Sequence, residues 1–288
     1  MTTTRGRVVL VVSACAAALV LSQGARAGAD ECAAFAWPKS AAACESLEAR
    51  FPAPDGFVRV EAAPGTYAAW VRRLPMLPAG SPVRSHEGDT ILVGTDARLA
   101  GVVDLDVGKR DLQQCADSVL RLRAEYLWQA GRISALHFAF TSGQRFAYRA
   151  WARGFRPLPV KSRVRFVRRA RPQAPSWPVF RAYLDEVFKW AGSLSLAKEG
   201  RRVGAARVRP GDFLSIGGSP GHAVVVLDVA RDPSGAQRVL IGQGFMPAQS
   251  FHVLRASDAS PWFSVEPSSA LEIPFWSRPF PWRLLRRF

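Results

Sequence analysis

Histidine and cysteine are both scarce in this chain, four of each among 288 residues. No paired His or Cys has the spacing from which a metal site draws its ligands, so neither a metal nor a cofactor is expected. Acidic residues are missing altogether from Tyr126 to Leu184, a stretch that carries twelve Lys and Arg. Beyond the N-terminus no run of about 18 apolar residues recurs, which argues against a transmembrane span after the leader. There is no zinc-finger, helix-turn-helix or aromatic RNA-binding signature, so the positive charge is not read as nucleic-acid binding. Internal repeats are absent as well.

Positive charge and apolar residues are plentiful. Lys and Arg number 39 against 23 Asp and Glu, a formal +16, and such a surface attracts anionic polymers or anionic membrane surfaces. With 48% hydrophobic residues the chain can bury one large domain or two small ones. Arg5 and Arg7 precede the apolar run Val8 to Leu21, and Ala25-Arg26-Ala27 supplies a small-x-small site. This is the pattern of a secretory signal peptide cut after Ala27. Val12-Ser13-Ala14-Cys15 offers the alternative, a lipoprotein cut before Cys15. On either path the protein is exported, periplasmic or extracellular, and disulfides are tolerated there. Cys32 and Cys44 lie close in sequence and are expected to pair, leaving Cys115 free. The expected organisation is a signal peptide over 1–27, a helical segment over 28–64, and one domain over 65–288 with a basic insertion at about 145–175.

Thr66 can cap a short helix from Tyr67 to Arg73, which must end near Pro75. Leu99 to Val107 alternates weakly and reads as a strand. Asp111, with Gln114 three residues on, has the form of a capping box. Leu112, Cys115, Val119, Leu122 and Tyr126 then fall on one helical stripe, which puts Cys115 near the helix start and toward the core. Leu136 to Thr141 and Arg163 to Arg168 read as strands, the second with one basic face. A helix is expected from Trp177 to about Ala197. Val208 to Phe251 is β-rich, with a glycine turn at Gly217 to Gly221 and a second turn at Asp232 to Gly235. The tail from Ile273 to Phe288 mixes Pro, Trp, Phe and Arg without period and is expected to wrap over the surface.

A thiol attacks as its thiolate, which a helix N-terminus and a nearby imidazole both favour. Cys115 meets the first condition. His222, on the first residue of the strand His222 to Leu227, can supply the second as base and later as acid. The plainer alternatives are that Cys115 is a small buried apolar residue and that His222 is a strand-end histidine with its hydrogen bonds satisfied. His86, His137 and His252 have weaker claims. Gln243, on the strand after His222, is the candidate third residue, and register decides its face. A two- or four-residue turn places it opposite Val224, on the face of His222. A three-residue turn with a bulge at Gly235 places it opposite Val225, on the other face. A further bulge at Gly242 or Gly244 restores the first face.

The strings RDLQQCADSVLRLRAEYLW, GDFLSIGGSPGHAVVVLDV and IGQGFMPAQSFHVL closely resemble the bacterial family called domain of unknown function 4846, over roughly Gly65 to Phe280. That family's name implies no activity. More distantly, a Cys-bearing helix followed by GD and then GHAVVVLD resembles the NlpC/P60 and CHAP cell-wall hydrolases. That resemblance implies a papain-like core that cleaves amide bonds in cell-wall peptides. By it, Cys115 is the nucleophile, His222 the base and Gln243 the polar third residue. Two departures stand out. The Asp-Cys-Ser start of those enzymes reads Gln114-Cys115-Ala116 here, and Cys115 and His222 are 107 positions apart. The expected fold is α+β, a small antiparallel sheet with the Cys115 helix packed on it. The expected function is an exported cysteine amidase or peptidase acting on peptidoglycan. The alternative is a non-catalytic envelope protein that binds an anionic polymer through its basic face.

Overall fold

The apolar run that starts at His222 becomes a ten-residue strand, His222–Arg231, buried at every position but the last. Strands covered on both faces carry near-continuous apolar sequence, and this one has a layer on each side. In the computed structural model, which describes residues 35–37, 45–258 and 260–288, nineteen strands are found among the described residues. In chain order they are β1 (Glu45–Ser46), β2 (Val58–Arg59), β3 (Pro75–Met76), β4 (Val83–Arg84), β5 (Thr90–Leu92), β6 (Leu99–Val102) and β7 (His137–Ala139). Next come β8 (Arg145–Ala147), β9 (Phe155–Val160), β10 (Arg163–Arg168), β11 (Arg201–Arg202), β12 (Phe213–Ile216) and β13 (His222–Arg231). The last are β14 (Gln237–Gln243), β15 (His252–Leu254), β16 (Phe263–Ser264), β17 (Ala270–Ile273), β18 (Trp276–Pro281) and β19 (Leu285–Arg287).

Nine of these form one antiparallel sheet in the order β11-β19-β12-β13-β14-β15-β6, with β16 pairing β14 and β2 pairing β13. The fold is thus mixed α and β with mostly strands. The expectation of a small sheet is corrected: nine strands join because the short, scattered segments Val58–Arg59, Leu99–Val102 and Leu285–Arg287 all return to it. The tail does not simply wrap the surface. It builds the β17–β18 hairpin and then adds β19 to the main sheet.

The two sheet faces have separate cores. Ala223, Val225, Leu227 and Leu240 face the helices, with Val119, Leu120 and Leu122 of the Cys115 helix. Val224, Val226, Val229 and Ile241 face the other way, with Leu271, Ile273, Phe280 and Trp282 of the C-terminal part. Each fully buried Val or Leu contributes about 1.5–3 kcal/mol relative to an exposed one, so the central strands anchor both layers. The segment Leu47–Arg50 is helical, and Leu47 and Phe51 share the helix-side core. The basic insertion folds into the β9–β10 hairpin, and Trp151 and Val164 join that same core. Among the described residues no helix is long and apolar enough to cross a membrane. Cys15, Cys32, Cys44 and the expected signal peptide all lie outside the described residues.

Several local expectations hold, and others move. Thr66 caps the helix Tyr67–Arg72, its hydroxyl accepting from the Ala69 N–H at 3.3 Å. The Trp177 helix stops at Trp190 and a separate short helix, Ser193–Leu196, follows Gly192. The Leu99 strand ends at Val102. The Cys115 helix spans Cys115–Gln129, so its N-cap is Gln114 and not Asp111. Asp111 instead accepts hydrogen bonds from the Ala248 N–H at 2.7 Å and the Gln114 side chain at 2.9 Å. It fastens the turn before the helix to the segment after β14. The capping carboxylate is Asp117, which accepts from the Gln114 N–H at 3.2 Å.

A bulge decides which face Gln243 occupies. The turn after β13 closes with the Asp232 N–H donating to Ala236 and the Gly235 N–H donating to Asp232. Gly235 takes φ +91°, the left-handed conformation that suits glycine. With that turn alone, Gln243 would stand opposite Val225. The register instead shifts between Val226 and Asp228, so that Val225 pairs with Gly242. The extra residue is Leu227 in β13, not a glycine of β14, and it returns Gln243 to the face of Val224. Asp228, next to the bulge and fully buried, is held by Arg59 and Arg72, each at 2.6 Å.

Candidate functional site

Cys115 is the first residue of its helix and is 8% exposed. It lines a cleft of about 500 Å³. The other walls come from Asp117 on the same helix, Thr141 after β7, Ser193 and Leu194, and the turn Gly218 to Gly221. The turn can press this close only because residue 221 is glycine: a Cβ there would stand 2.1 Å from Ser193 Oγ. Gly244 plays the same part for the helix, since a Cβ there would lie 2.3 Å from Ser118 Oγ. Two glycines thus let the helix start and the turn approach the ends of the central strands.

The thiol in this cleft is not activated. Burial pushes its pKa up to about 11, and the adjacent Asp117 adds to the rise. The N–H groups of Ala223, Ala116 and Cys115 itself pull the other way without winning. Asp117 is 6% exposed, and burial drives its carboxyl up to about 8 despite the Gln114 N–H. Its second oxygen, Oδ1, is buried and has no hydrogen-bond partner. A buried carboxyl left half-satisfied is uncommon in a folded protein, and one with a strongly shifted pKa beside a thiol in a cleft marks a candidate site.

On the other face of the sheet the structure builds a polar row across three strands. His222 bonds Gln243 at 2.7 Å between Nε2 and Oε1, and Gln243 Nε2 lies 3.3 Å from His252 Nε2. His252 Nδ1 is 2.9 Å from the Ser250 carbonyl oxygen. Proton bookkeeping then fixes every tautomer. The Ser250 carbonyl can only accept, so His252 carries its proton on Nδ1 and accepts at Nε2. Gln243 donates there through its amide N–H, which turns its carbonyl toward His222. His222 must donate from Nε2, and its Nδ1 keeps a lone pair. Among the described residues no hydrogen bond engages that lone pair. Burial lowers the pKa of each imidazole to about 4, so both are neutral at pH 7. Phe245 and Trp276 pack on the His222 ring, with centroids at 5.0 and 4.9 Å.

The structure therefore brings His222 and Gln243 into contact and adds His252, which sequence reasoning ranked low. Its signal was the alternation His252-Val253-Leu254, which puts His252 on the face of Gln243. Cys115 sits with Ala223 and Val225 in the helix-side core. The direct cross-strand partner of His222, Ile216, belongs to the opposite core. The start of β13 thus runs between thiol and imidazole, and no hydrogen bond joins them among the described residues. Asp117 was missed because Asp111 and Gln114 look like a capping box three residues earlier. His86 and His137 lie outside both the cleft and the row, and each has a buried Nδ1 without a partner. Among the described residues no group of His, Cys, Asp or Glu is arranged to hold a metal.

In comparisons with known proteins, no curated protein and no solved structure matches the chain. A family does match, the one described as Domain of unknown function (4846), over residues 47–287. The match spans well over half of the sequence, and the chain belongs to that family.

Proposed function

We propose that this member of the domain of unknown function 4846 family is a thiol amidase or peptidase. Cys115 is its nucleophile, His222 its base and Gln243 the residue that orients the base. The observation that carries the reading is the hydrogen-bonded row itself. The Ser250 carbonyl, His252 and Gln243 hold His222 in the tautomer with a free Nδ1 lone pair, which a base needs before it takes a thiol proton. Helix cysteine, strand histidine and a polar residue on the neighbouring strand also follow in papain-like order, in keeping with the NlpC/P60 resemblance.

In this reading the Cys115 proton passes to His222 Nδ1, and the sulfur attacks an amide carbonyl held in the cleft. The N–H groups of Cys115 and Ala116 at the helix start stabilise the oxyanion. The amine leaves with the proton from His222, and water then hydrolyses the thioester. The resting arrangement keeps thiol and imidazole on opposite faces of β13. This reading therefore requires the turn Gly218 to Gly221 and the start of β13 to rearrange on substrate entry, with Gln243 setting the His222 tautomer beforehand and releasing the ring as the pair meets. Export, from the N-terminal pattern, and the +16 charge support a cell-wall peptide as substrate.

A second reading has its own observation. The thiol is unactivated, and Arg163, Arg165 and Arg168 stand exposed on β10, which favours a non-catalytic protein that binds an anionic polymer. Turnover separates the two. The catalytic reading expects Cys115→Ser to abolish cleavage of a cell-wall peptide, and His222→Ala to slow it nearly as much, because nucleophile and base act as one unit. No cleavage of such peptides by the wild type leaves the binding reading standing.

A further inference from the structure

The main sheet begins with an arrangement that ought to repel itself. β11 and β19 pair antiparallel so that Arg201 stands opposite Arg287 and Arg202 opposite Arg286. Like charges directly opposite on neighbouring strands are destabilising. One of the four is neutralised within the fold: Arg287 grips the buried Asp212 with two bonds, 2.6 and 2.7 Å. Beside this strand pair lies a cavity of about 480 Å³. Its charged lining consists of Arg201, Arg207, Arg209, Arg231 and Arg287 with a single acid, Glu61. Arg231 is steadied by the Ala206 carbonyl at 3.1 Å and Gln237 at 3.2 Å. The guanidinium groups of Arg201, Arg207 and Arg209 are exposed, and among the described residues they make no hydrogen bond or ion pair. The pocket shares no lining residue with the Cys115 cleft.

Five guanidinium groups against Glu61 and Asp212 leave an excess of three positive charges in one concavity. A singly charged carboxylate would answer only part of that excess. Guanidinium forks match tetrahedral oxyanions that carry several acceptor oxygens. We propose that this pocket binds a phosphoryl-bearing anion, gripped by Arg201, Arg207 and Arg209 with Arg231 and Arg287 held rigid behind them. The site is independent of the thiol reading. It also accounts for the Arg201–Arg287 pair across β11 and β19, because a shared anion turns the repulsion into a common grip.

The test uses the full chain and inorganic pyrophosphate, titrated by calorimetry. Arg207→Ala with Arg209→Ala is expected to weaken binding by about tenfold or more, as loss of charge-assisted bonds implies. Arg163→Ala with Arg165→Ala, on the β9–β10 hairpin, is expected to leave it unchanged. Both pairs are exposed, and a thermal melt checks the fold of each. If the first pair melts early, Arg201→Ala serves in its place. Vesicles containing phosphatidylglycerol form the second arm. Retention that pyrophosphate competes away and that the first pair loses assigns the phosphoryl group to a lipid headgroup. Pyrophosphate binding without retention assigns it to a soluble phosphate. Failure of pyrophosphate to bind at millimolar concentration, or equal weakening by both variant pairs, overturns the site.

Discussion

Asp117 and Asp228 are both buried carboxyls against the helix-side layers of this protein, and they are treated in opposite ways. Asp228 has two guanidinium partners, Arg59 and Arg72, each at 2.6 Å. Asp117 has one backbone N–H at 3.2 Å and an oxygen with no partner, and its carboxyl is pushed up to about 8. The first ties the chain together: Arg59 also donates to the carbonyls of Glu48 and Phe51, so one carboxylate links β13 to the N-terminal segment. The second lines a cleft beside a thiol and ties nothing distant. Where the fold needs a buried charge it supplies both partners, and where a carboxyl is left half-satisfied the reason lies outside the fold's own stability.

Asp228→Ala tests the structural half of that contrast and has the largest expected effect. It takes the carboxylate from the buried Arg72 and from the half-buried Arg59 and is expected to destabilise by about 3–5 kcal/mol, measured by urea unfolding. Loss of under about 1 kcal/mol, the worth of a surface pair, would mean that water reaches the cluster.

The polar row comes next. Gln243→Leu leaves the His222 Nε2–H and the His252 Nε2 without partners, each costing about 1–3 kcal/mol. On the catalytic reading it also drops turnover when assayed well below the lowered melting temperature, where the variant is still folded. A variant that keeps full stability would show that the histidines find other partners.

The pH profile of stability sharpens the comparison further. Asp117 folded titrates near 8 and unfolded near 3.8, so the native state binds more protons between those values. Its contribution therefore falls as pH rises, by about 1.4 kcal/mol per unit at most. His222 and His252 titrate near 4 folded against 6.5, so the unfolded state binds more protons between these values. Their contribution rises with pH over that window. The two trends cross, and stability is expected to peak near the histidine reference value of about 6.5. Asp117→Asn should flatten the decline on the alkaline side of the peak. An unchanged slope in that variant would remove Asp117 as its cause. Thr66→Ala, which loses only a helix cap, is expected to cost about 1 kcal/mol at every pH, and a pH-dependent loss would refute that assignment.

Much of this was legible in the sequence because it is local. Thr66 announces its helix, the Arg163 to Arg168 alternation announces a basic strand, and the apolar run after His222 announces a strand. What was not legible depends on contacts between distant segments. The nine-stranded sheet needs Val58, Leu99 and Leu285 to come home to one place, and no local pattern encodes that meeting. Asp117 looked like any helix acid until the cleft left its oxygen unpaired. Cys115 and His222 were each placed on the right kind of element, but the side of β13 to which each points is a property of packing.

The Leu227 bulge gives the chain a rule of odd and even. Every residue between Leu227 and Gln243 counts as one half-turn of the pleat, so the glutamine reaches His222 only if the count keeps its parity. Removing Leu227, or lengthening the Asp232 to Ala236 turn by one residue, would send Gln243 to the helices and an apolar neighbour to the imidazole. Removing two residues, or adding two, would leave Gln243 on the face of the imidazole. A library of turn lengths should therefore survive in alternate steps, tolerated and lost by turns, as a comb and not a slope.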